Sequence, residues 1–409
     1  MTLACRLCGA PLSETFIDLG AAPLSNSFLT ADQLAAPETS YPLHVYVCSQ
    51  CLLVQLPDSE SPDVIFRDYA YLSSYSDSWL EHCERYAKRM IDELGLDGDT
   101  LVVELASNDG YLLQYFRAAG VPVLGIEPAA NVAQVALERG VPTEAVFFGR
   151  QPAADLVGRG VHPRLVVANN VLAHVPDLHD FVAGIAELSG PGTLVTIEVP
   201  HLLRLIAERQ FDTIYHEHWS YFTLAVIEQA LGAHGLRVHD VDELTTHGGS
   251  LRVHASPAAD DRLATARVAK VRADEAAAGL DHLDGYRTFA DAAVQVKCDL
   301  LGFLVDARER GQRVVGYGAP AKANTLLNYC GVGPELLAFT ADRNPLKQGR
   351  YLPGSRIPVR APAAIDEARP DYVLILPWNL RDEITLQLAG IREWGGRFVL
   401  PIPTLEVVA

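Results

Sequence analysis

The sequence predicts an α/β protein in which a small N-terminal lobe precedes two doubly wound, Rossmann-like α/β domains. Two close cysteine pairs and turn-rich sequence set the first part of the chain apart. From residue 77 onward, short apolar runs alternate with stretches of helical periodicity, as in a parallel sheet covered by helices. The same alternation returns after residue 313. We therefore place the three units at residues 1–75, 76–258 and 259–409.

Composition and charge narrow the class of protein. The 409 residues are 49% hydrophobic and 21% charged, which suits a globular chain of two or three domains. No apolar run reaches the roughly 18 residues of a membrane helix, and cysteines precede any signal-peptide pattern. Asp and Glu total 51 against 33 Lys and Arg, so the overall field repels nucleic acid. We expect a cytoplasmic monomer that binds neither nucleic acid nor membrane.

The first α/β domain is predicted from elements that follow one another closely. A helix is expected over residues 77–94, and the hairpin that closes the domain over residues 236–255. The alternating strands and helices between them are expected at residues 100–105, 110–119, 121–126, 131–139 and 165–168.

The second α/β domain begins with an Ala-rich helical stretch, roughly residues 260–310. Strands are then expected at residues 313–316, 336–340, 372–376 and 397–402, with helical segments between them. The two α/β halves could be distant copies of one architecture, but no sequence repeat proves it.

The cysteines predict a structural zinc site. Two Cys-x-x-Cys pairs offer four thiolates, a set that suits a closed tetrahedral zinc site with no position left for water. These ligands are Cys5, Cys8, Cys48 and Cys51. The other three cysteines, Cys83, Cys298 and Cys330, have no partner in sequence and are expected to be small buried residues.

The segment after the first strand of the middle domain predicts a cofactor loop. It stands where a dinucleotide fingerprint would, but Ala106 and Asn108 replace the glycines that let a pyrophosphate approach. S-adenosylmethionine (SAM), which lacks phosphates, fits better, and NAD is the main alternative. Glu127 ends the next strand and could accept both ribose hydroxyls. The full predicted cofactor set is Glu104, Ala106, Asn108, Gly110, Glu127, Pro128, Asn169 and Asn170.

A dense cluster of titratable groups follows at residues 215–222, where two imidazoles, a carboxylate and two phenols fall within eight residues. An imidazole supplies a base of near-neutral pKa, and a phenol supplies a donor to an enolate oxygen. His174 comes just after a predicted strand end and is expected in the same crevice. A second metal site at this cluster is a weaker alternative.

The C-terminal domain opens with a glycine turn between a strand and a helix. Free amides at Gly316, Tyr317 and Gly318, together with Lys322, could hold a diphosphate. The alternative is that the glycines only tighten the turn.

These motifs together resemble the sugar C-methyltransferases, which methylate dTDP-4-keto-deoxyhexoses, for example at carbon 3, in the pathways to antibiotic deoxysugars. The resemblance spans nearly the whole chain. It rests on the four zinc-type cysteines and on residues 68–74, 104–110, 215–218, 247–252 and 316–322.

The resemblance implies a zinc-binding lobe, a central SAM domain and a C-terminal domain that anchors the nucleotide of a dTDP-linked keto-deoxysugar. By matching motifs, His218 would be the base, with Tyr215, Glu217, His174 and Tyr69 around the sugar. Tyr71, Gly316, Tyr317, Gly318, Lys322 and Asn324 would complete the substrate site.

Several alternatives stay open at this point. The chain could be an O- or N-methyltransferase acting on another small metabolite, or a zinc-containing regulatory protein with a degenerate SAM fold. Whether carbon 3 or carbon 5 is methylated is open. So is the choice of His218, His174 or Tyr215 as the proximal base.

Overall fold

The computed structural model describes residues 3–61 and 72–408, whose strands form three sheets. The N-terminal lobe holds a four-stranded antiparallel sheet. Its first three strands are β1 (Glu14–Ala22), β2 (Tyr41–Val47) and β3 (Val54–Gln55). The fourth strand, Ser220–Tyr221, comes from the middle of the chain. The sheet of the lobe therefore reaches beyond the first 75 residues.

The middle of the chain surrounds a seven-stranded sheet. Its helices are α1 (Asp77–Leu94), α2 (Leu113–Ala118), α3 (Ala130–Glu138), α4 (Arg150–Gly158), α5 (Leu178–Leu188), α6 (Leu202–Ala207) and α7 (Leu224–Gly232). Its strands are β4 (Val102–Leu105), β5 (Val123–Ile126), β6 (Thr143–Glu144), β7 (Leu165–Asn169), β8 (Leu194–Pro200), β10 (Leu236–Leu244) and β11 (Ser250–Pro257). The Ser220–Tyr221 strand, which lies between α6 and α7, is β9.

The strand order in this sheet is β10-β11-β8-β7-β4-β5-β6. The five strands β8, β7, β4, β5 and β6 run parallel, and the β10–β11 hairpin adds two antiparallel strands at one edge. All five residues of β7 are buried, as expected for a strand that helices cover on both faces. The carboxyl ends of the parallel strands meet at one edge of the sheet, which faces the site described below.

A six-stranded sheet forms the C-terminal part of the chain, in the order β14-β13-β12-β15-β16-β17. Its strands are β12 (Val314–Tyr317), β13 (Thr340–Ala341), β14 (Val359–Arg360), β15 (Tyr372–Ile375), β16 (Arg397–Leu400) and β17 (Glu406–Val408). Helix α8 (Ala266–Ala277) precedes this part and packs against β10 of the middle sheet. The helices of the C-terminal part are α9 (Phe289–Glu309), α10 (Ala321–Cys330), α11 (Ala363–Ala368) and α12 (Arg381–Gln387). All neighbouring strands are parallel except β17, which is antiparallel to β16.

The predicted fold class is confirmed, because two mostly parallel α/β sheets follow a cysteine-bearing lobe. Local signals explain the most accurate boundaries. Helix α1 begins where the Ser76 side chain accepts a hydrogen bond from the Trp79 amide, and ends at Gly95 in the left-handed conformation. The predicted 336–340 strand was wrong in extent, since β13 covers only Thr340–Ala341.

The N-terminal sheet is packed against the C-terminal part of the chain. On β2, Leu43 and Val45 point inward and join one hydrophobic cluster with Leu300 of α9. The ring of Phe16 stacks on that of Phe289, with centroids 4.7 Å apart. This shared core packs the N-terminal lobe against the C-terminal part of the chain. The lobe thereby contributes Asn26 to the cavity described below.

Two further expectations concern the burial of the three remaining cysteines and the lack of membrane-spanning helices. Cys83 and Cys330 are buried as predicted, whereas Cys298 is exposed, so that prediction was wrong. Among the described residues, no helix is long and apolar enough to cross a lipid bilayer.

Candidate active site

A cavity of about 560 Å³ lies where the three parts of the chain meet. The loops after β4, β5 and β7 form one wall, through Asn108, Glu127 and Asn170. The segment before β9 forms the middle through His218, and the start of α10 forms the opposite wall through Lys322. This position, outside the carboxyl ends of parallel strands, is the usual ligand crevice of doubly wound folds.

The loop after β4 has an unusual backbone. Ala106, Asn108 and, after β7, Asn170 have φ angles of 54°, 50° and 51°, in the left-handed region that favours glycine. All three line the cavity. The Asn108 side chain accepts a hydrogen bond from the Ser73 amide at 2.9 Å, which ties the loop to the segment before α1. Backbone strain of this kind collects at ligand sites, and here the three residues with positive φ angles all face the cavity.

Glu127, at the end of β5, lines the same wall and is 5% exposed. Its two carboxylate oxygens accept hydrogen bonds of 2.9 Å from the amides of Asn108 and Ala129. Burial raises the pKa of Glu127, and the two amide hydrogen bonds oppose that rise. The carboxylate is thus fixed in place, and each oxygen can accept a further hydrogen bond from a ligand.

Pro128 and Asn169 of the predicted cofactor set also line the cavity. Two other residues of the predicted cofactor set do not. Glu104 is fully buried beneath the loop, where burial raises its pKa well above the ordinary value. Gly110 has a φ of 77°, and a Cβ there would approach Val141 to 2.9 Å, so glycine is required by packing. Glu104 and Gly110 therefore shape the loop from behind instead of facing a ligand.

His218 lies at the centre of the predicted cluster. Its Nδ1–H donates a hydrogen bond of 2.7 Å to the Thr213 carbonyl, which leaves the lone pair on Nε2. Burial, and next the neighbouring His174, lower the pKa of His218 well below its ordinary value. The imidazole is therefore neutral near pH 7, which is the state that can accept a proton.

Two rings pack directly against His218. The ring of Tyr215 lies 4.0 Å from it and that of His174 4.6 Å, measured between centroids. Burial lowers the pKa of His174 to about 4, so this imidazole is also neutral. All three side chains line the cavity, which agrees with the prediction that they share one crevice.

The neighbouring side chains of Glu217 and His216 contact different parts of the protein. Glu217 lines the cavity, and its Oε1 accepts a 2.6 Å hydrogen bond from Asn26 of the N-terminal lobe. His216 instead faces the N-terminal sheet, where its Nε2 lies 3.2 Å from the Tyr41 carbonyl oxygen. Tyr69 and Tyr71, which were predicted beside the sugar, lie outside the described residues.

Two lysines form the C-terminal wall of the cavity. The Lys322 ammonium lies 4.4 Å from the ring centroid of Trp378 and donates a hydrogen bond to Asn379. Burial lowers the pKa of Lys322 to about 8, so it remains mostly cationic near pH 7. Lys347, which sequence reasoning missed, donates to the Ala319 carbonyl at 2.9 Å.

The glycine turn does not offer the free amides that were predicted. The Gly318 amide donates to the Ala341 carbonyl at 2.7 Å, and the Ala319 amide donates to Asp342 Oδ2 at 2.6 Å. Gly318 has a φ of 89°, and a Cβ there would lie 2.4 Å from Pro377. The glycine is thus explained by packing, which was the alternative reading of this turn.

Other predicted substrate residues also lie away from the cavity. A Cβ on Gly316 would approach Thr340 Oγ1 to 2.8 Å, so close strand packing accounts for that glycine. The Tyr317 hydroxyl donates to Gln387 at 3.1 Å. The Asn324 side chain donates to the Ser25 carbonyl at 2.6 Å and ties α10 to the N-terminal lobe.

Sequence reasoning also missed Trp79 and His247 as lining residues. Their rings form an edge-to-face pair with centroids 5.2 Å apart. The signal for His247 was its place before two glycines. Residues 247, 248 and 249 have φ angles of 55°, 88° and 113°, a run that turns the His247 ring to the cavity.

The four predicted zinc ligands come together in the N-terminal lobe. The Sγ atoms of Cys5, Cys8, Cys48 and Cys51 all lie within 4.8 Å of one another, with two contacts of 3.5 Å. Tetrahedral zinc with Zn–S bonds of about 2.3 Å would place sulfurs about 3.8 Å apart. The donor set and its spacing therefore fit one zinc ion.

Comparison with known proteins gives matches along most of the chain. Family models match residues 5–66 ("Putative zinc binding domain"), 79–241 ("Methyltransferase domain") and 245–403 ("C-methyltransferase C-terminal domain"). The chain is 39% identical over 405 residues to the C-methyltransferase NovU of Streptomyces niveus, covering 99% of this chain and 96% of NovU.

Two solved structures resemble part of the chain. Magnesium protoporphyrin IX methyltransferase (ChlM) from Synechocystis PCC 6803, with bound SAM, covers 47% of this chain and 88% of its own, at 17% identity and a TM-score of 0.33. An S-adenosylmethionine-dependent methyltransferase from Mesorhizobium loti covers 43% and 99%, at 15% identity and a TM-score of 0.34.

The four-cysteine geometry predicts one structural zinc per chain. Cys48→Ser should lower the zinc content from about one per chain towards zero, because a closed site needs all four thiolates. The melting temperature should fall with it, while Cys298→Ser, at an exposed cysteine, should change neither. Elemental analysis and thermal melting measure both. Unchanged zinc and stability in Cys48→Ser would contradict the assignment.

The fixed carboxylate of Glu127 predicts a ribose contact. Glu127→Ala should weaken SAM binding by about 2–4 kcal/mol, since hydrogen bonds to a charged group contribute roughly 1.5–3 kcal/mol each and do not add fully. Calorimetric titration with SAM measures the loss. Glu144→Ala removes the partly exposed acid that ends the neighbouring strand β6, does not line the cavity and serves as the control. Equal affinities in the two variants would place the ribose elsewhere.

Proposed function

The chain belongs to the SAM-dependent C-methyltransferases, and from that premise we propose that it methylates a dTDP-linked 4-keto-deoxysugar, at carbon 3, through an enolate. The main observation behind the proposal is that the neutral His218 lines the cavity. Its Nδ1–H donates a hydrogen bond to the Thr213 carbonyl, so Nε2 is the nitrogen that can accept a proton. Family membership decides for SAM over NAD and for carbon over oxygen or nitrogen. It also argues against a regulatory protein.

Methyl transfer to carbon needs a carbon nucleophile. SAM supplies an electrophilic methyl group, and a C–H bond beside a ketone becomes nucleophilic once a base removes its proton. His218 is the proposed base, acting through Nε2. Its lowered pKa keeps it unprotonated, and the negative charge of the enolate would stabilise the imidazolium once it forms.

The enolate oxygen needs hydrogen-bond donors in a site that excludes water. Tyr215 and His174, whose rings pack on His218, are the proposed donors. Glu217, held by Asn26, is proposed to accept a hydrogen bond from a sugar hydroxyl. The burial of this cluster supports the proposal, because water would reprotonate the enolate.

The two walls suggest a division of the ligands. We assign SAM to the wall of Asn108, Glu127 and Asn169, with Glu104 and Gly110 shaping its loop. We assign the diphosphate of the nucleotide-sugar to Lys322 and Lys347, in place of the glycine turn. Two ammonium groups on one wall suit a dianionic diphosphate.

We propose the same three functional units of the chain that the sequence predicts. Residues 1–75 would bind zinc, residues 76–258 SAM and residues 259–409 the nucleotide. All seven cysteines lie in the described part of the chain, where none forms a disulfide and four form the zinc site, so we propose a reducing, cytoplasmic location. We also propose a monomer, and the acidic balance of the chain supports the absence of a nucleic-acid partner.

Lys322 should act on the nucleotide-sugar and not on SAM. Lys322→Met should raise the KM for the sugar roughly 10- to 100-fold, the loss of one charged hydrogen bond, with little change in the KM for SAM. Steady-state kinetics measure both constants. Lys297→Met is the control, because Lys297 also packs over an aromatic ring, that of Tyr329, but does not line the cavity. Equal effects on both constants would contradict the division of ligands.

His218 should control proton removal. With S-adenosylhomocysteine in place of SAM, the wild type in D₂O should exchange the proton beside the ketone of dTDP-4-keto-6-deoxyglucose. His218→Asn should slow this exchange about 10²- to 10⁴-fold, the usual contribution of general-base catalysis. NMR of the sugar follows the exchange and identifies the carbon. His216→Asn is the control, since His216 faces the N-terminal sheet.

The same assay has a pH signature. Because the pKa of His218 is lowered, the base should stay unprotonated below the ordinary imidazole pKa of about 6.5. The exchange rate should therefore fall with acid only below that pH. If His174→Ala or Tyr215→Phe abolished exchange while His218→Asn did not, the base would be reassigned. Exchange unaffected by all three variants would contradict carbon deprotonation by this cluster.

A further inference from the structure

A series of hydrogen bonds connects the segment of the zinc ligands Cys5 and Cys8 to the segments of His174 and His218, the two histidines discussed above. We propose that Arg6, seated between Cys5 and Cys8, is a positioning residue that couples the zinc site to His174 and His218. The inference rests on the proposed function, because it concerns how the imidazoles of His174 and His218 are positioned for the proposed reaction.

The Arg6 guanidinium reaches two separate segments. Its NH1 donates to the Pro176 carbonyl at 3.0 Å, and its NH2 donates to the Leu56 carbonyl at 2.5 Å. The Arg6 side chain is 10% exposed, whereas its third contact, Asp58, is 66% exposed and 3.4 Å away. Exposed ion pairs contribute little, so the two carbonyls are the main partners.

The Pro176 carbonyl belongs to the segment that carries His174, whereas the Leu56 carbonyl belongs to a residue that is hydrogen-bonded to the segment that carries His218. Pro176 lines the cavity two residues after His174. The Leu56 amide donates to the Trp219 carbonyl at 3.0 Å, and Trp219 directly follows His218. One guanidinium is therefore bonded directly to the His174 segment and, through Leu56, indirectly to the His218 segment.

The two segments are also bonded to each other. The Trp219 amide donates to the Ala173 carbonyl at 2.8 Å, and Ala173 directly precedes His174. The contacts thus close a ring from Arg6 through Pro176, Ala173, Trp219 and Leu56 back to Arg6. Moving Arg6 would shift both imidazoles together.

Gln55 fixes the position of Arg6 relative to the metal ligands. Its Oε1 accepts from the Arg6 amide at 2.9 Å, and its Nε2 donates to Cys5 Sγ at 3.1 Å. The backbone of Gln55 pairs with Ser220 on β9. Hydrogen bonds to ligand atoms orient a metal site, and here the same side chain ties that site to the ring.

This arrangement requires arginine. A planar guanidinium places two donors at fixed angles, which match carbonyls on two different segments. A lysine keeps the charge but presents one compact ammonium group on a flexible stem. Arg6 does not line the cavity, so its effect on the reaction would pass through the histidines.

The test uses the full, zinc-loaded chain. Arg6→Lys should slow D₂O exchange into dTDP-4-keto-6-deoxyglucose roughly 10- to 100-fold, because misplacement by about 1 Å costs this much. Zinc content and SAM affinity should stay at wild-type values. The ring C2–H signals of His174 and His218, assigned through their Asn variants, should shift in NMR spectra. If Arg6→Lys does not fold, zinc-loaded Gln55→Leu should show the same slower exchange and the same shifts of the two histidine signals.

Ile17→Val is the matched control. It weakens the core of the same N-terminal sheet, but Ile17 is not part of the cycle of hydrogen bonds that starts and ends at Arg6. It should leave the exchange rate and both histidine signals unchanged. Wild-type exchange and unmoved signals in both Arg6→Lys and Gln55→Leu would overturn the inference. An equal effect of Ile17→Val would also overturn it, by showing general loosening of the lobe. A wild type that shows no exchange would instead count against the proposed function.

Discussion

The pairing of β3 with β9 is the constraint on which the arrangement of the site depends. Only two residue pairs make this contact, Val54 with Tyr221 and Gln55 with Ser220. It adds a strand from the middle of the chain to the sheet of the N-terminal lobe, and that strand begins two residues after His218. The segment that carries His218 is thereby fixed to the N-terminal lobe on one side, while the Trp219 amide bonds it to the Ala173 carbonyl on the other.

Burial and local partners together set the charge of each part of the cavity. The imidazoles of His174 and His218 are kept neutral because protonating them there would place a cation out of water. Lys322 tolerates burial because the ring of Trp378 and the nearby Asp212 favour its charged form. The result is a basic wall, a neutral middle that can accept a proton, and a carboxylate wall at Glu127.

The sequence predicted those parts that rest on local patterns. Strand ends identified Glu127 and Asn170, and the paired spacing of Cys5 and Cys8 identified the metal site. Contacts between distant segments left no such pattern. The two-residue strand β9 is too short to signal a sheet, and Lys347 reaches the cavity only through the fold. At Gly318 the pattern suited a phosphate loop, but packing against Pro377 explains the glycine.

The central claim is methylation of a carbon beside a ketone. The most direct measurement is NMR of the product formed from methyl-¹³C SAM and a dTDP-4-keto-deoxysugar. The account predicts that the labelled methyl is bonded to a ring carbon next to the ketone, at carbon 3. A labelled methyl bonded to oxygen or nitrogen would contradict the account.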